Sequence, residues 1–381
     1  MSIELSRRLI LTGAAGATLA GATRAVAAKK EEAFPPEALH LDHALLGPDD
    51  GIALLARNEN PYGPSESALR MVEYAGKKGA YYPGQANITL AEMIAERHGV
   101  DPKQIVITTG SGEALSAIAV LYGPKGPIVA PRLFWDTTAL YAARLGMAEI
   151  QRVPLTEDMG VDLAGIEAAV TEGTGLVQLC NPNNPTGLVS DSKTFKAAVK
   201  RMAAKTTVLV DEAYMELADD PDGNTCIDLI KKGDDVIVSR TFSKIYGMAG
   251  LRVGYTISSE ETAEKIRGTA MSWIAGTGLA AAIGAYNDHA FLDFSKSKIV
   301  EARQMVTDKT ASLGMETLPS QTNFVYFKSG KPANEVQKVM ENEKIIVRGQ
   351  YMDYTDWTRV SMGKPEDVER FCNFLPEAAG V

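Results

Sequence analysis

From about residue 105 to residue 257, short runs rich in β-branched apolar residues alternate with helix-length amphipathic segments. The runs at 105–109, 127–130, 176–179, 208–210, 236–239 and 253–257 predict strands, and their alternation with helices predicts βαβ units that feed a largely parallel sheet. After about Ala275 the pattern turns helical, then apolar runs at 323–327 and 345–348 predict two further strands in a smaller α+β lobe. The stretch from Leu39 to about Leu69 is expected to join that lobe. No internal repeat or low-complexity tract interrupts the chain beyond residue 28.

A chain of 381 residues with 45% hydrophobic and 23% charged positions can bury a large core, and at this length more than one lobe is expected. The expected boundaries are 1–27 for an export signal, 28–70 for an N-terminal arm and part of the small lobe, 71–275 for the large lobe and 276–381 for the rest of the small lobe. The signal rests on Arg7-Arg8, set before an apolar run and followed by Ala25-Val26-Ala27, a small-residue cleavage site. It resembles a bacterial twin-arginine export signal, and so implies transient contact with export machinery and a periplasmic destination. The run from Leu9 to about Ala22 falls short of the roughly 20 residues of a membrane span. A net charge of −9 leaves no basic face for a phosphate backbone, which argues against nucleic-acid binding. Cys180, Cys226 and Cys372 show neither disulfide nor metal spacing and read as inert thiols. His40 and His43 lack further ligands nearby, and His98 and His289 read as ordinary helix residues; no metal is expected.

Polar residues gather after the predicted strands. Gly110-Ser111-Gly112-Glu113 follows the first, Asn181-Pro182-Asn183-Asn184-Pro185-Thr186-Gly187 follows the run at 176–179, Asp211-Glu212-Ala213-Tyr214 ends the run at 208–210, and Arg240-Thr241-Phe242-Ser243-Lys244 follows the run at 236–239. In open α/β sheets ligands bind at the carboxyl ends of the strands, so the site is expected there. Each motif alone is weak, because a strand-end Asp is commonly a helix cap and an Asn/Pro/Gly run commonly a turn. Their order and spacing together are specific.

In that order the chain resembles the class I/II aminotransferases of pyridoxal-phosphate fold type I, and among them the histidinol-phosphate aminotransferase-like group. The resemblance runs from Arg57-Asn58-Glu59-Asn60-Pro61-Tyr62-Gly63 to Arg359-Val360-Ser361-Met362-Gly363. It implies a large domain with a mostly parallel seven-stranded sheet between helices, a smaller α+β domain, and pyridoxal 5'-phosphate as cofactor. It further implies that Lys244 is the covalent tether and proton carrier, a role suited to a side chain whose pKa falls when desolvated. By the same resemblance Asp211 pairs with the pyridine nitrogen, and Tyr214 and Asn184 bond the phenolic oxygen. Ser111, Gly112 and Glu113 at a helix start, Thr241, Ser243 and Arg252 hold the phosphate. Tyr82 reaches that phosphate from a neighbouring subunit, which implies a homodimer with shared sites. The Asn184–Pro185 bond is implied to be cis.

One departure concerns the residue that stacks on the ring. Pro131-Arg132-Leu133 puts a leucine where the family has an aromatic; counting back from Gly146 and Ala142 selects Trp135, with Phe134 as the alternative. Arg359 matches the arginine that clamps the substrate α-carboxylate. Arg348 aligns with an arginine that holds the substrate's side-chain phosphate in histidinol-phosphate enzymes, and Tyr62 lines the same pocket. Export argues against histidine biosynthesis, leaving Arg348 to read an acidic or peptide-linked side chain or only to close a loop. The expected reaction transfers an amino group between an L-amino acid and a 2-oxo acid by a ping-pong mechanism. Its rivals are another fold type I reaction, such as C–S lysis, decarboxylation or oxidation, and a non-catalytic periplasmic binder of amino acids or the vitamin.

Overall fold

In the computed structural model, which describes residues 47–381, the strands in chain order are β1 (Ala53–Leu55), β2 (Ile105–Thr109), β3 (Ile128–Pro131), β4 (Ile150–Val153), β5 (Leu176–Cys180), β6 (Val208–Asp211), β7 (Val236–Thr241), β8 (Val253–Ile257), β9 (Phe324–Lys328), β10 (Ile345–Val347) and β11 (Trp357–Ser361). The Arg7-Arg8 signal and the His40/His43 pair lie outside the described residues. Seven strands form the main sheet in the order β2-β8-β7-β6-β5-β3-β4. Only β8 runs against its neighbours.

Successive residues of β2, β6 and β7 enter two different apolar clusters. Val208 and Val210, Val236 and Val238, and Ile105 and Ile107 join one, which also holds Phe195 and Met202 of the helix Ser192–Ala203. Leu209, Ile237 and Val106 join the other, with Leu115 and Ile118 of the helix Gly110–Tyr122. A strand points alternate side chains to opposite faces, so a sheet covered by helices on both sides demands apolar residues at every position. That is why these strands read as continuous apolar runs. The edge strand β4 does not: Gln151 and Arg152 are at least partly exposed, their polarity interrupts the run, and the six runs predicted for this sheet accordingly omit it.

Two further sheets are two-stranded. In one, β1 pairs in parallel with β10, so residues from opposite ends of the described chain share a sheet. In the other, β9 pairs antiparallel with β11, and a bridge between Arg348 and Arg359 links the end of β10 to β11. The strands β1 and β11 were not predicted; three and five residues long, they carry too few apolar positions to stand out from their loops. Residues 53–381 form one compact unit. Among the described residues no helix is long and apolar enough to cross a membrane. All three cysteines are buried and free, and no group of metal-ligating side chains occurs among the described residues.

Candidate active site

The carboxyl ends of β5, β6 and β7 deliver Asn184, Asp211 and Lys244 to one cavity of about 460 Å3. Arg252 reaches the same rim because β8 is antiparallel: its first residue, Val253, lies opposite Thr109 at the end of β2. From the smaller sheets come Arg348 and Arg359, and from the segment after β1 come residues 56–59.

Lys244 opens onto the cavity with its Nζ donating to the Arg57 carbonyl at 3.1 Å and 5.7 Å from the centre of the Tyr214 ring. Desolvation, with the Arg359 charge adding to it, lowers its pKa from 10.5 to about 8. About a tenth of the amine is therefore neutral at pH 7, far more than for an ordinary lysine. Asp211 is buried at the end of β6, where it accepts a hydrogen bond from Ala213 N at 3.2 Å. Burial raises its pKa to about 7, against the opposing pull of that bond and of Lys244. The carboxylate lacks a paired cation in direct contact and is suited to a protonated heteroaromatic nitrogen. Its neighbour Glu212 points elsewhere, into a buried ion pair with Arg240 at 2.8 Å.

Tyr214 is buried, and burial pushes its hydroxyl well above the usual phenol range. Asn58 Nδ2 donates to that hydroxyl at 2.9 Å and Asn184 Nδ2 at 3.4 Å. Arg359 Nη1 in turn donates to Asn184 Oδ1 at 2.7 Å, and Nη2 to the Ala56 carbonyl. Its Nε is buried with no partner, so one guanidinium donor remains for an anion. Asn58 is a functional residue that sequence reasoning passed over. It is locked in place by Ser361 Oγ, which accepts from its N–H at 2.9 Å and donates to its Oδ1 at 2.7 Å. The available signal was an Asn three residues beyond a short apolar run, at a position whose φ of 57° Asn tolerates better than most residues. The Asn184–Pro185 bond is cis, as are Asn181–Pro182 and Gly63–Pro64.

The helix Gly110–Tyr122 has no side-chain bond at its N-cap, Thr109. Glu113 instead turns its carboxylate back to accept Thr109 N at 2.7 Å, and also holds the backbone and hydroxyl of Ser272. The N–H groups of Gly110, Ser111 and Gly112 are left free of intrahelical partners, a ready-made anion site. Glu113 itself does not line the cavity: as the fourth helical residue its N–H belongs to the helix ladder, and its carboxylate would repel a phosphate. It therefore organises the turn without contacting an anion there. A Cβ on Gly110 would lie 2.2 Å from Arg252 Nη2, and one on Gly254 2.2 Å from Ser111 N. Both glycines are what let the guanidinium and the next strand approach the helix start. Thr241 Oγ1 donates to Ser243 Oγ at 3.0 Å, and Arg252 Nη1 lies 3.4 Å from Ser243 Oγ.

Trp135 lines the cavity, whereas Phe134 packs with Ala130 and Cys180 and Leu133 joins a core cluster. Of the two aromatic candidates only Trp135 has a face for a ring. Arg348 and Tyr351 line the cavity, Tyr351 unforeseen from sequence. Besides Glu113, two expected residues do not line it among the described residues. Tyr62 packs edge-on against Phe294 at 5.4 Å, and Tyr82 is 83% exposed beside Trp273 at 5.1 Å. A free-donor helix start, an arginine, paired hydroxyls, a buried carboxylate, an aromatic wall and a lysine of lowered pKa together fit a phosphorylated pyridine aldehyde.

Residues 50–375 match the family model for aminotransferase class I and II. The chain belongs to that family. The histidinol-phosphate aminotransferase of Akkermansia muciniphila is 32% identical over 87% of this chain and 91% of its own length. That of Symbiobacterium thermophilum is 34% identical over 86% and 90%. The crystal structure of histidinol-phosphate aminotransferase from Sinorhizobium meliloti in complex with pyridoxal-5'-phosphate is 30% identical, with a TM-score of 0.80 over 91% of this chain and 97% of that one. The fold is that of fold type I, and the protein is a pyridoxal-phosphate-dependent aminotransferase.

Proposed function

We propose that this aminotransferase moves an amino group between an L-amino acid and a 2-oxo acid in two successive half-reactions, as a periplasmic homodimer. Its relatives support an activity of histidinol-phosphate type. The observation that carries the reading is Lys244, its pKa lowered to about 8, opening on the same cavity as the buried Asp211. When bound, pyridoxal phosphate supplies the aldehyde that takes up the amino group and a ring that accepts electrons when the substrate α-proton leaves. Lys244 offers a neutral amine for the tether, and once released it would be the base that takes the substrate α-proton and returns it to the carbon supplied by the cofactor aldehyde. Asp211 as carboxylate keeps the ring nitrogen protonated. Tyr214, with Asn58 and Asn184 behind it, orients the phenolic oxygen. Ser111, Gly112, Thr241, Ser243 and Arg252 hold the phosphate, and Trp135 covers the ring face. Arg359, through its free Nε, receives the substrate α-carboxylate.

Reduction of the holoenzyme with borohydride followed by peptide mapping is expected to find the cofactor on Lys244. An unmodified Lys244 peptide from active enzyme would sink the assignment. Export by the twin-arginine route is supported by Arg7-Arg8 and by the need to fold around a cofactor before crossing. Replacing both arginines by lysine is expected to retain the protein in the cytoplasm. The dimer, with Tyr82 reaching the partner's phosphate, is supported by the exposure of Tyr81, Tyr82, Met271 and Trp273.

A further inference from the structure

The strand β5 is buried along its whole length, and all of its residues but one are apolar. The exception is Gln178, fully buried in the middle of the strand. A leucine or methionine would fill that space, and an amide there is costly unless it is bonded. Both ends of this amide bond to one segment: Nε2 donates to the Trp135 carbonyl at 3.2 Å, and Oε1 accepts from Ala139 N at 3.1 Å. Ala139 is the third residue of the helix Thr137–Arg144, whose N-cap residue, Asp136, makes no side-chain bond to the helix. Gln178 thus supplies from a strand the cap that the local sequence does not.

Asp136 is engaged elsewhere. Its carboxylate accepts from Nη2 of Arg152, on the edge strand β4, at 2.5 Å, and Arg152 Nη1 donates to the Arg132 carbonyl at 3.1 Å. Both side chains of this ion pair are mostly buried. Arg132 N donates to the Val153 carbonyl at 2.6 Å, and Asn183 Nδ2 donates to the Leu133 carbonyl at 3.2 Å. Side chains reaching in from β4, β5 and the loop after β5 therefore take backbone bonds that regular structure would otherwise make. Trp135 sits in the middle of this segment with 41% of its surface exposed, so packing alone does little to fix its indole. Its direction into the cavity is set by the backbone that these contacts hold.

We propose that Gln178 and Arg152 are positioning residues that aim Trp135 at the ring of the cofactor, and that they set cofactor affinity through it. The inference rests on the reading of Trp135 as the wall over that ring. Neither Gln178 nor Arg152 lines the cavity, so each acts on the cofactor only through the segment it holds.

Two readouts on the holoenzyme test this. Equilibrium dialysis against graded pyridoxal phosphate gives its dissociation constant, and visible circular dichroism per bound cofactor reports how its ring is held. Trp135→Leu, apolar but without an aromatic face, is expected to weaken cofactor binding about three- to tenfold, the worth of one ring-on-ring contact, and to shrink the dichroic band. Gln178→Met, which keeps the length and loses both hydrogen bonds, and Arg152→Gln are each expected to shift both readouts in the same direction. Neither is expected to add a further effect when Trp135 is already leucine. Arg152→Gln, at the more open position, carries the same cycle if Gln178→Met does not fold. Equal effects in both backgrounds, or a lower melting temperature with both readouts unchanged, would overturn the proposal. If Trp135→Leu alters neither readout, the ring-wall reading fails and the proposal with it; if it alters both while the Gln178 and Arg152 variants alter neither, only the positioning fails.

Discussion

Asp211 and Lys244 illustrate how one environment shifts two groups toward neutrality in opposite directions. Burial holds Asp211 at about 7 rather than 3.8 and Lys244 at about 8 rather than 10.5. In the apoprotein the Asp211 carboxyl therefore contributes stability that is fully present below about pH 4 and lost as pH rises through 7. Lys244 acts in a separate window: the unfolded chain binds more protons between about pH 8 and 10.5, so stability rises there. Urea unfolding of apoprotein is expected to show the wild type losing stability relative to Asp211→Asn between pH 4 and 7, with no further relative loss above. In the holoenzyme the same substitution is expected to lower kcat by about 10²–10³-fold, the scale of removing a preorganised electrostatic partner, with the fold retained. Stopped-flow spectra of the half-reaction check it. The motifs around both residues were plain in the sequence because each combines unusual residue types in fixed order. Asn58 was not, since an Asn in the polar run Asn58-Glu59-Asn60-Pro61 looks like turn chemistry until Tyr214 is seen 2.9 Å away.

At the scale of elements, the phosphate cradle depends on two backbone approaches that only glycine permits. Gly110 has φ +67° and its missing Cβ leaves room for the Arg252 guanidinium, whereas the missing Cβ of Gly254 leaves room for backbone at Ser111. Gly110→Ala is expected to displace the flexible guanidinium and weaken cofactor binding at least about tenfold, at a strain of about 1 kcal/mol. Gly254→Ala meets backbone that cannot swing aside, so its melting temperature is expected to fall further than that of Gly110→Ala. Cofactor titration and thermal melts of the two variants decide the order. In the sheet, Ile237 is buried in the central strand β7, and Ile237→Ala is expected to cost about 2–5 kcal/mol by chemical denaturation. The central strands were legible because burial on both faces writes itself as an unbroken apolar run. The strands β1, β4 and β11 were not: β1 is only three residues long, β4 is exposed on one side, and Thr358, Arg359 and Ser361 interrupt the apolar run of β11.

On the scale of the whole molecule, Tyr82 and Tyr81 are exposed at 83% and 77%, so contacts among the described residues leave most of their surface open. If Tyr82 serves the partner's site, mixed dimers of Lys244→Ala with Tyr82→Ala contain one site with both residues intact. Refolding equal amounts of the two inactive or weakened variants together makes about half of the dimers mixed, so activity is expected to recover toward about a quarter of the wild-type level; no recovery would place Tyr82 outside the partner's site. The linear chain by itself determined the sheet-and-helix class, the strand-end positions of Lys244, Asp211 and Asn184, and the family, because these rest on periodicity and on ordered local motifs. Only the folded molecule decided that Trp135 rather than Phe134 faces the cavity, that Glu113 turns away from it, and that Asn58, Tyr351 and Arg57 belong to it. Those choices depend on which way a side chain points once strands far apart in the chain, such as β1 and β10, are brought side by side, and no local pattern encodes that direction.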